Sequence, residues 1–254
     1  MKILVVTSEV TFVPMNYNLF LEELFQGISN EIDINIELII LKNNSPALIA
    51  KGLALMVMGA RHIGYNLIKN SLMAVFKDRS GLCTKFKIPM HFYENPNSPE
   101  FLEFVKKHPT DLILNARTRY IYKSKILKLP KIAAINIHHG LLPDYRGTMC
   151  DFWAIKDQRP TGFTVHVMDK KIDNGRIIRR VQTSIEGDKL RRNFANLIEE
   201  SSKIEGIEAA KLLKTIKKNQ DLPIETDNIS SNPVYTKNPD FFTIRKMLQK
   251  GIEL

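Results

Sequence analysis

Ala133-Ala134-Ile135-Asn136-Ile137-His138-His139, followed by Gly140-Leu141-Leu142-Pro143-Asp144-Tyr145-Arg146-Gly147, is an apolar, β-branched run that breaks into a turn punctuated by Gly and Pro. It reads as a strand with polar side chains at its carboxyl end. Four other runs have the same character: Lys2–Thr7, Ile32–Leu41, Asp111–Ala116 and Gly162–Met168. Between the first two, Tyr17–Ile28 places Leu19, Leu21, Leu24, Phe25 and Ile28 at helical spacing, and Pro99–Lys107 behind the cap Ser98 predicts another helix. Strands separated by helices build βαβ units, so the expected fold is α/β with a mostly parallel sheet. Ligands collect at the carboxyl ends of such strands, which is where the turn after His138 falls.

The rest of the composition sets limits. The chain has 254 residues, 44% hydrophobic and 25% charged, the balance of an ordinary globular protein rather than a disordered one. Lys and Arg number 37 against 27 Asp and Glu, a net charge of +10 that favours an anionic partner. Two cysteines, Cys83 and Cys150, are too few for a disulfide framework. The opening apolar run at Met1–Ser8 is too short for a signal peptide, so a cytoplasmic location is the default expectation.

Ser45–Asp78 is rich in Leu, Met and Ile, with Lys51, Arg61, Lys69 and Lys77 at intervals. The favoured reading is one or two core helices packed on the sheet; a helix on a membrane surface or against a partner is the alternative. Its most apolar window falls short of the roughly 20 residues needed to cross a bilayer. From Asp188 to Gln220 the chain is helical and charged, Leu222–Val234 is a loop or extended arm, and Asp240–Leu254 predicts a last helix.

Chemistry concentrates in two blocks. Alternation along the strand puts Asn136 and His138 on one face and His139 on the other. A carboxamide and an imidazole side by side can stabilise a developing oxyanion and manage a proton. In the second block, Ile172-Asp173-Asn174-Gly175 is turn chemistry that displays a carboxylate, and an Asp beside a His is expected to raise the imidazole pKa. His166, between two valines on a strand, reads equally as a core histidine or a site residue. Arg146 reads equally as a tie for the turn or an anion contact. A zinc site gains no support, since His138 and His139 face opposite ways and no His-x-x-x-His or Cys-x-x-Cys spacing occurs. Cys150 reads as a buried small hydrophobe rather than a nucleophile.

The run Asn136-x-His138 followed by Leu-Leu-Pro-x-Tyr-Arg-Gly closely resembles the signature of the folate-dependent formyltransferases, and Ile172-Asp173-Asn174-Gly175 resembles the turn that carries their catalytic Asp. The resemblance implies a Rossmann-like catalytic domain over 1–186, with a small helical and extended segment over 187–254. It implies 10-formyltetrahydrofolate as donor, an amine acceptor and no metal. It assigns catalysis to Asn136, His138 and Asp173, with Asn136 and a His138 imidazolium donating to the oxyanion. Tyr120, Ile121, Tyr122 and Ile172 fall where the family holds the folate ring, and Arg146 and His166 become candidates for the acceptor.

Departures narrow the acceptor. Gly140 stands where the family often has Ser, and the His138-His139 pair is a spelling of the formyltetrahydrofolate hydrolases. Those enzymes carry a further domain ahead of the first strand, where this chain begins. The segment 187–254 is shorter than the C-terminal barrel of the methionyl-tRNA formyltransferases, which disfavours tRNA. A small anionic amine such as a nucleotide-linked amino sugar is left as the first expectation, with a non-catalytic folate-binding or partner-binding role as the rival outside enzymology. The oligomeric state is not legible.

Overall fold

The structure, a computed structural model, describes residues 1–75, 79–184 and 187–254. Seven strands form one sheet: β1 (Lys2–Ser8), β2 (Asn35–Leu41), β3 (Met90–Tyr93), β4 (Leu112–Ala116), β5 (Ala133–His138), β7 (Thr161–Val167) and β8 (Ile177–Ser184). Between them come α1 (Asn18–Ile28), α2 (Pro46–Val57), α3 (Arg61–Val75), α4 (Ser80–Phe86), α5 (Pro99–Lys107) and α6 (Ser124–Leu127). Then follow β6 (Tyr145–Gly147), α7 (Cys150–Lys156), β7 (Thr161–Val167), β8 (Ile177–Ser184), α8 (Phe194–Asn219), β9 (Val234–Thr236) and α9 (Phe241–Gln249).

The sheet order is β3-β2-β1-β4-β5-β7-β8. β1 to β5 pair in parallel, and β7 and β8 add an antiparallel edge. The α/β, mostly parallel architecture is as expected. β1 is apolar on both faces because helices cover both, and Ile3 to Val6 are fully buried. The chain leaves β1 towards β2 on one side and returns to β4 on the other, so a crevice opens at the carboxyl ends of β1 and β4. Ser98 caps α5 as expected, its hydroxyl accepting from the Phe101 backbone N–H.

Two expectations need correction. The strand expected from Ile32 starts at Asn35; Ile32 lies in the preceding turn and is almost fully exposed. The stretch from Ser45 does form two helices up to Val75, its last three residues lying outside the described ones. The pair divides: Ile63 of α3 joins the main buried cluster, whereas α2 buries only Gly52 and meets the core through half-buried Leu48 and Leu55, so α2 is not a core helix laid on the sheet.

The segment 187–254 is tied into the molecule. α8 packs along α1, and Phe194, Leu197, Leu213 and Ile216 belong to the same buried cluster as β1 and β4. The boundary expected after residue 186 falls at residues outside the described ones. The arm after α8 returns through β9 to pair in parallel with β6, beside the turn that follows β5.

Candidate active site

Strand register builds the floor of the site. Asn115 on β4 lies opposite Asn136 on β5, and Asn136 lies opposite His166 on β7. The three side chains therefore form a row across the sheet. Asn115 Nδ2 donates to Asn136 Oδ1 at 2.7 Å, and Asn136 Nδ2 donates to His166 Nε2 at 3.1 Å. Asn115 Oδ1 accepts from Tyr122 at 2.9 Å and from Thr118 at 2.6 Å, which fixes its amide orientation. His166 Nδ1 donates to the Val167 carbonyl at 2.8 Å.

Two residues further along β5, His138 sits above this row, its ring 6.2 Å from that of His166. Its Nε2 donates to the Tyr145 carbonyl at 2.9 Å, which leaves Nδ1 facing Asp173 Oδ2 at 3.4 Å. Asp173 Oδ1 lies 3.6 Å from His166 Nε2, so one carboxylate spans both imidazoles.

The turn holding Asp173 is shaped by its neighbours. Asp173 adopts the left-handed conformation, φ 48°, which Asp tolerates better than most residues. A Cβ at Gly175 would collide with the Val167 carbonyl, so only glycine lets the turn close on β7. The Gly147 N–H donates to Asp173 Oδ2 at 2.9 Å. Arg146 is enclosed, donating to Asn174 Oδ1 at 2.7 Å and to the Asn228 carbonyl and side chain. Asn228 Nδ2 in turn donates to the Asp173 and Gly175 carbonyls. Arg146 thus ties the turn to the arm after α8.

Electrostatics follow from burial. Burial works to raise the Asp173 pKa, but His138, His166 and the Gly147 N–H outweigh it and hold the carboxyl down to about 2. Burial lowers the pKa of His138, and the opposing pull of Asp173 does not overcome it. The expectation of a raised imidazole pKa is therefore corrected: desolvation of a buried cation exceeds the attraction of one carboxylate. Cys150 Sγ lies 3.6 Å from His138 Nε2, yet burial pushes its thiol up to about 12, so it stays protonated and is no nucleophile.

Residues 63–208, more than half of the chain, match the family model described as Formyl transferase. This chain belongs to that family. It is 38% identical over 103 residues to the bifunctional polymyxin resistance protein ArnA of Wigglesworthia glossinidia brevipalpis, covering 40% of this chain and 16% of that one. It is 38% identical over 91 residues to GDP-perosamine N-formyltransferase of Brucella abortus, 35% of each chain. The chain therefore spans well under two thirds of the curated relatives it matches. The crystal structure of phosphoribosylglycinamide formyltransferase from Anaplasma phagocytophilum shares the fold, with a TM-score of 0.60 at 18% identity over 94% of this chain and 99% of that one.

In this formyl transferase chain the Gly140 departure has a steric cause. A Cβ there would lie 2.7 Å from Cys150 Cβ and 2.8 Å from His138 Nε2, so the serine common in the family has no room. The residues expected around the folate divide. Tyr122 is buried beneath the row with its hydroxyl on Asn115, and the Tyr120 hydroxyl donates to the Glu94 carbonyl at 2.8 Å. Ile121 and Ile172 are exposed apolar side chains on the loops after β4 and β7. An open cavity of about 560 Å³ adjoins the outer side of the Asp173 turn and is lined by Arg146, Arg176, Asp169 and Asp227 among others. Among the described residues no group of three or more His, Cys, Asp or Glu could hold a metal ion.

Sequence reading missed Asn115, the anchor of the row. Its only signal is a lone carboxamide inside the apolar run Leu112-Ile113-Leu114-Asn115-Ala116, where an unpaired amide would be costly.

Proposed function

We propose that this chain transfers a formyl group from 10-formyltetrahydrofolate to the amine of a small anionic acceptor, with a nucleotide-linked amino sugar first in line. The observation that carries this reading is the row Asn115, Asn136, His166 with His138 and Asp173 closing over it at the carboxyl-end rim of the sheet. The folate supplies an activated formyl carbon; the side chains supply the rest.

An amide nitrogen carries two donors. One N–H of Asn136 is used on His166, and the other is available to the oxygen on which negative charge develops. His138 is oriented by the Tyr145 carbonyl so that Nδ1 faces the ionised Asp173. His138 can take the proton of the attacking amine at that edge, be held as the imidazolium by Asp173 beside the developing anion, and return the proton to the folate nitrogen as its bond to the formyl carbon breaks. Ile121 and Ile172 give the rim apolar surface that suits a flat ring, with Tyr120 and Tyr122 bracing the same loop. The net charge of +10 favours an anionic acceptor. The Brucella relative named for GDP-perosamine points the same way.

The test is to incubate the protein with 10-formyltetrahydrofolate and a panel of GDP-, UDP- and dTDP-linked amino sugars, following the acceptor by mass spectrometry. Acceptor-dependent formylation is expected, and Asn136→Ala should lower its rate by about 10²–10³. Formate release without any acceptor would make the protein a hydrolase. Formylation of methionyl-tRNA and of no sugar would overturn the acceptor assignment.

A further inference from the structure

The α2–α3 hairpin carries chemistry that the formyl-transfer site does not use. Its two helices meet at glycines: a Cβ on Gly52 would lie 2.6 Å from Ile68, and one on Gly64 would strike the Gly52 carbonyl. Leu48 and Leu55 pack on the buried clusters beside this contact, and another face of α2 turns outward. Ala50, Leu53, Ala54 and Val57, at i, i+3, i+4 and i+7, share one exposed face; Leu53 is 55% and Val57 88% accessible. The outer face of α3 alternates cations with large apolar groups: Arg61, Tyr65, Lys69 and Leu72 are all exposed, with the Lys69 ammonium 6.0 Å from the Tyr65 ring.

Charge identifies the occupant. From residue 46 to residue 75 the chain has Lys51, Arg61 and Lys69 and no Asp or Glu. We infer that the α2–α3 hairpin is a docking surface for an anionic lipid membrane, lying in the interface with its apolar residues among the acyl chains and its cations at the headgroups. Apolar helix faces edged by Lys and Arg, with an aromatic at the boundary, bind in this way. A second copy of the chain fits less well, because a shared face would set cations against cations. No described helix is long and apolar enough to cross a bilayer, so the hairpin rests on the surface.

Two details agree. Partial desolvation of its ammonium and the nearby Arg119 both disfavour the charged form of Lys51, although the residue as a whole is exposed, and an anionic surface relieves this. The hairpin also leaves the sheet at the carboxyl end of β2, the rim on which the candidate site opens, so docking would bring that rim to the membrane.

Co-sedimentation of the full chain with vesicles tests this, comparing phosphatidylcholine alone with phosphatidylcholine plus phosphatidylglycerol. Binding is expected only to the mixed vesicles. The Leu53→Glu/Val57→Glu double variant, and separately Lys51→Glu/Lys69→Glu, should each weaken it by about tenfold or more. All four side chains are exposed, so thermal melting should confirm that both variants stay folded. Failure to bind the mixed vesicles overturns the inference, as does unchanged binding by Leu53→Glu/Val57→Glu, which would assign it to net charge elsewhere. A concentration-dependent dimer abolished by that variant, without vesicle binding, would assign the face to a second copy.

Discussion

Asp151 is buried and His139 is largely so, and their pKa values move in opposite senses. Burial, with Arg117 adding to it against Glu205, pushes His139 down to about 4 from 6.5. Burial, with Arg117 opposing it, pushes Asp151 up to about 7 from 3.8. For His139 the unfolded chain binds the proton first as pH falls, so its stabilising contribution is full above pH 6.5 and is lost towards pH 4. For Asp151 the folded chain holds the proton longer, so its contribution is full below pH 3.8 and is lost as pH rises to about 7. The two slopes offset each other between those limits. Asp151→Asn keeps an oxygen to accept from the Gly162 N–H and removes one slope. Urea unfolding across a pH series should therefore show the variant gaining stability relative to the parent as pH rises from about 4 to 6.5. Parallel curves would mean that Asp151 ionises normally.

At the scale of elements, close glycine contacts decide what a helix can turn outward. Gly→Ala in a helix interior gains about 1 kcal/mol in propensity. At Gly64 the added Cβ meets the Gly52 backbone carbonyl, which cannot rotate away, and overpacking of this kind costs about 1–3 kcal/mol. The steric term wins, so Gly64→Ala should lower the melting temperature. Gly81 on α4 has open space around its Cβ position, so Gly81→Ala should raise it slightly. Equal effects at both sites would mean that the Gly52–Gly64 contact has room for a methyl group. The same elements show where sequence reading stops. β1, β4, β5 and β7 were legible because their apolar runs are short, β-branched and bounded by turn residues, and Asn136 and His138 share a face because a strand alternates. The direction of α2 was not legible: it is apolar nearly all round, so periodicity favours no face, and the Gly52–Gly64 contact that settles it depends on two residues without side chains. Asn228 was hidden for another reason. It lies in an irregular arm, far in sequence from the Asp173 turn that it holds.

Across the whole molecule, α8 joins what a linear reading keeps apart. The sequence shows a helical stretch dense in Lys and Glu, and periodicity cannot say which Glu turns inward. Glu205 does so completely. It accepts from the Tyr17 hydroxyl in the turn before α1, accepts from Ser201 at 3.0 Å, and lies 2.9 Å from His139 Nδ1 beyond β5 and 3.7 Å from Arg117 beyond β4. Next to it, Gly206 allows α8 to press on the Phe20 carbonyl of α1. One carboxylate thus gathers the carboxyl ends of the two strands that carry Asn115 and Asn136. Although burial works against its charge, His139 and Arg117 hold its pKa below the ordinary glutamate value, so Glu205 is ionised in the fold. Removing one partner of a buried pair leaves the other uncompensated, at a cost of about 3–5 kcal/mol, whereas replacing both by apolar groups is often close to neutral. Glu205→Gln should therefore lower unfolding stability by an amount in that range, while Glu205→Met with Arg117→Met should recover most of the loss. If the double variant is instead as unstable as the sum of its parts, Glu205 and Arg117 act independently and α8 is held by its apolar face alone.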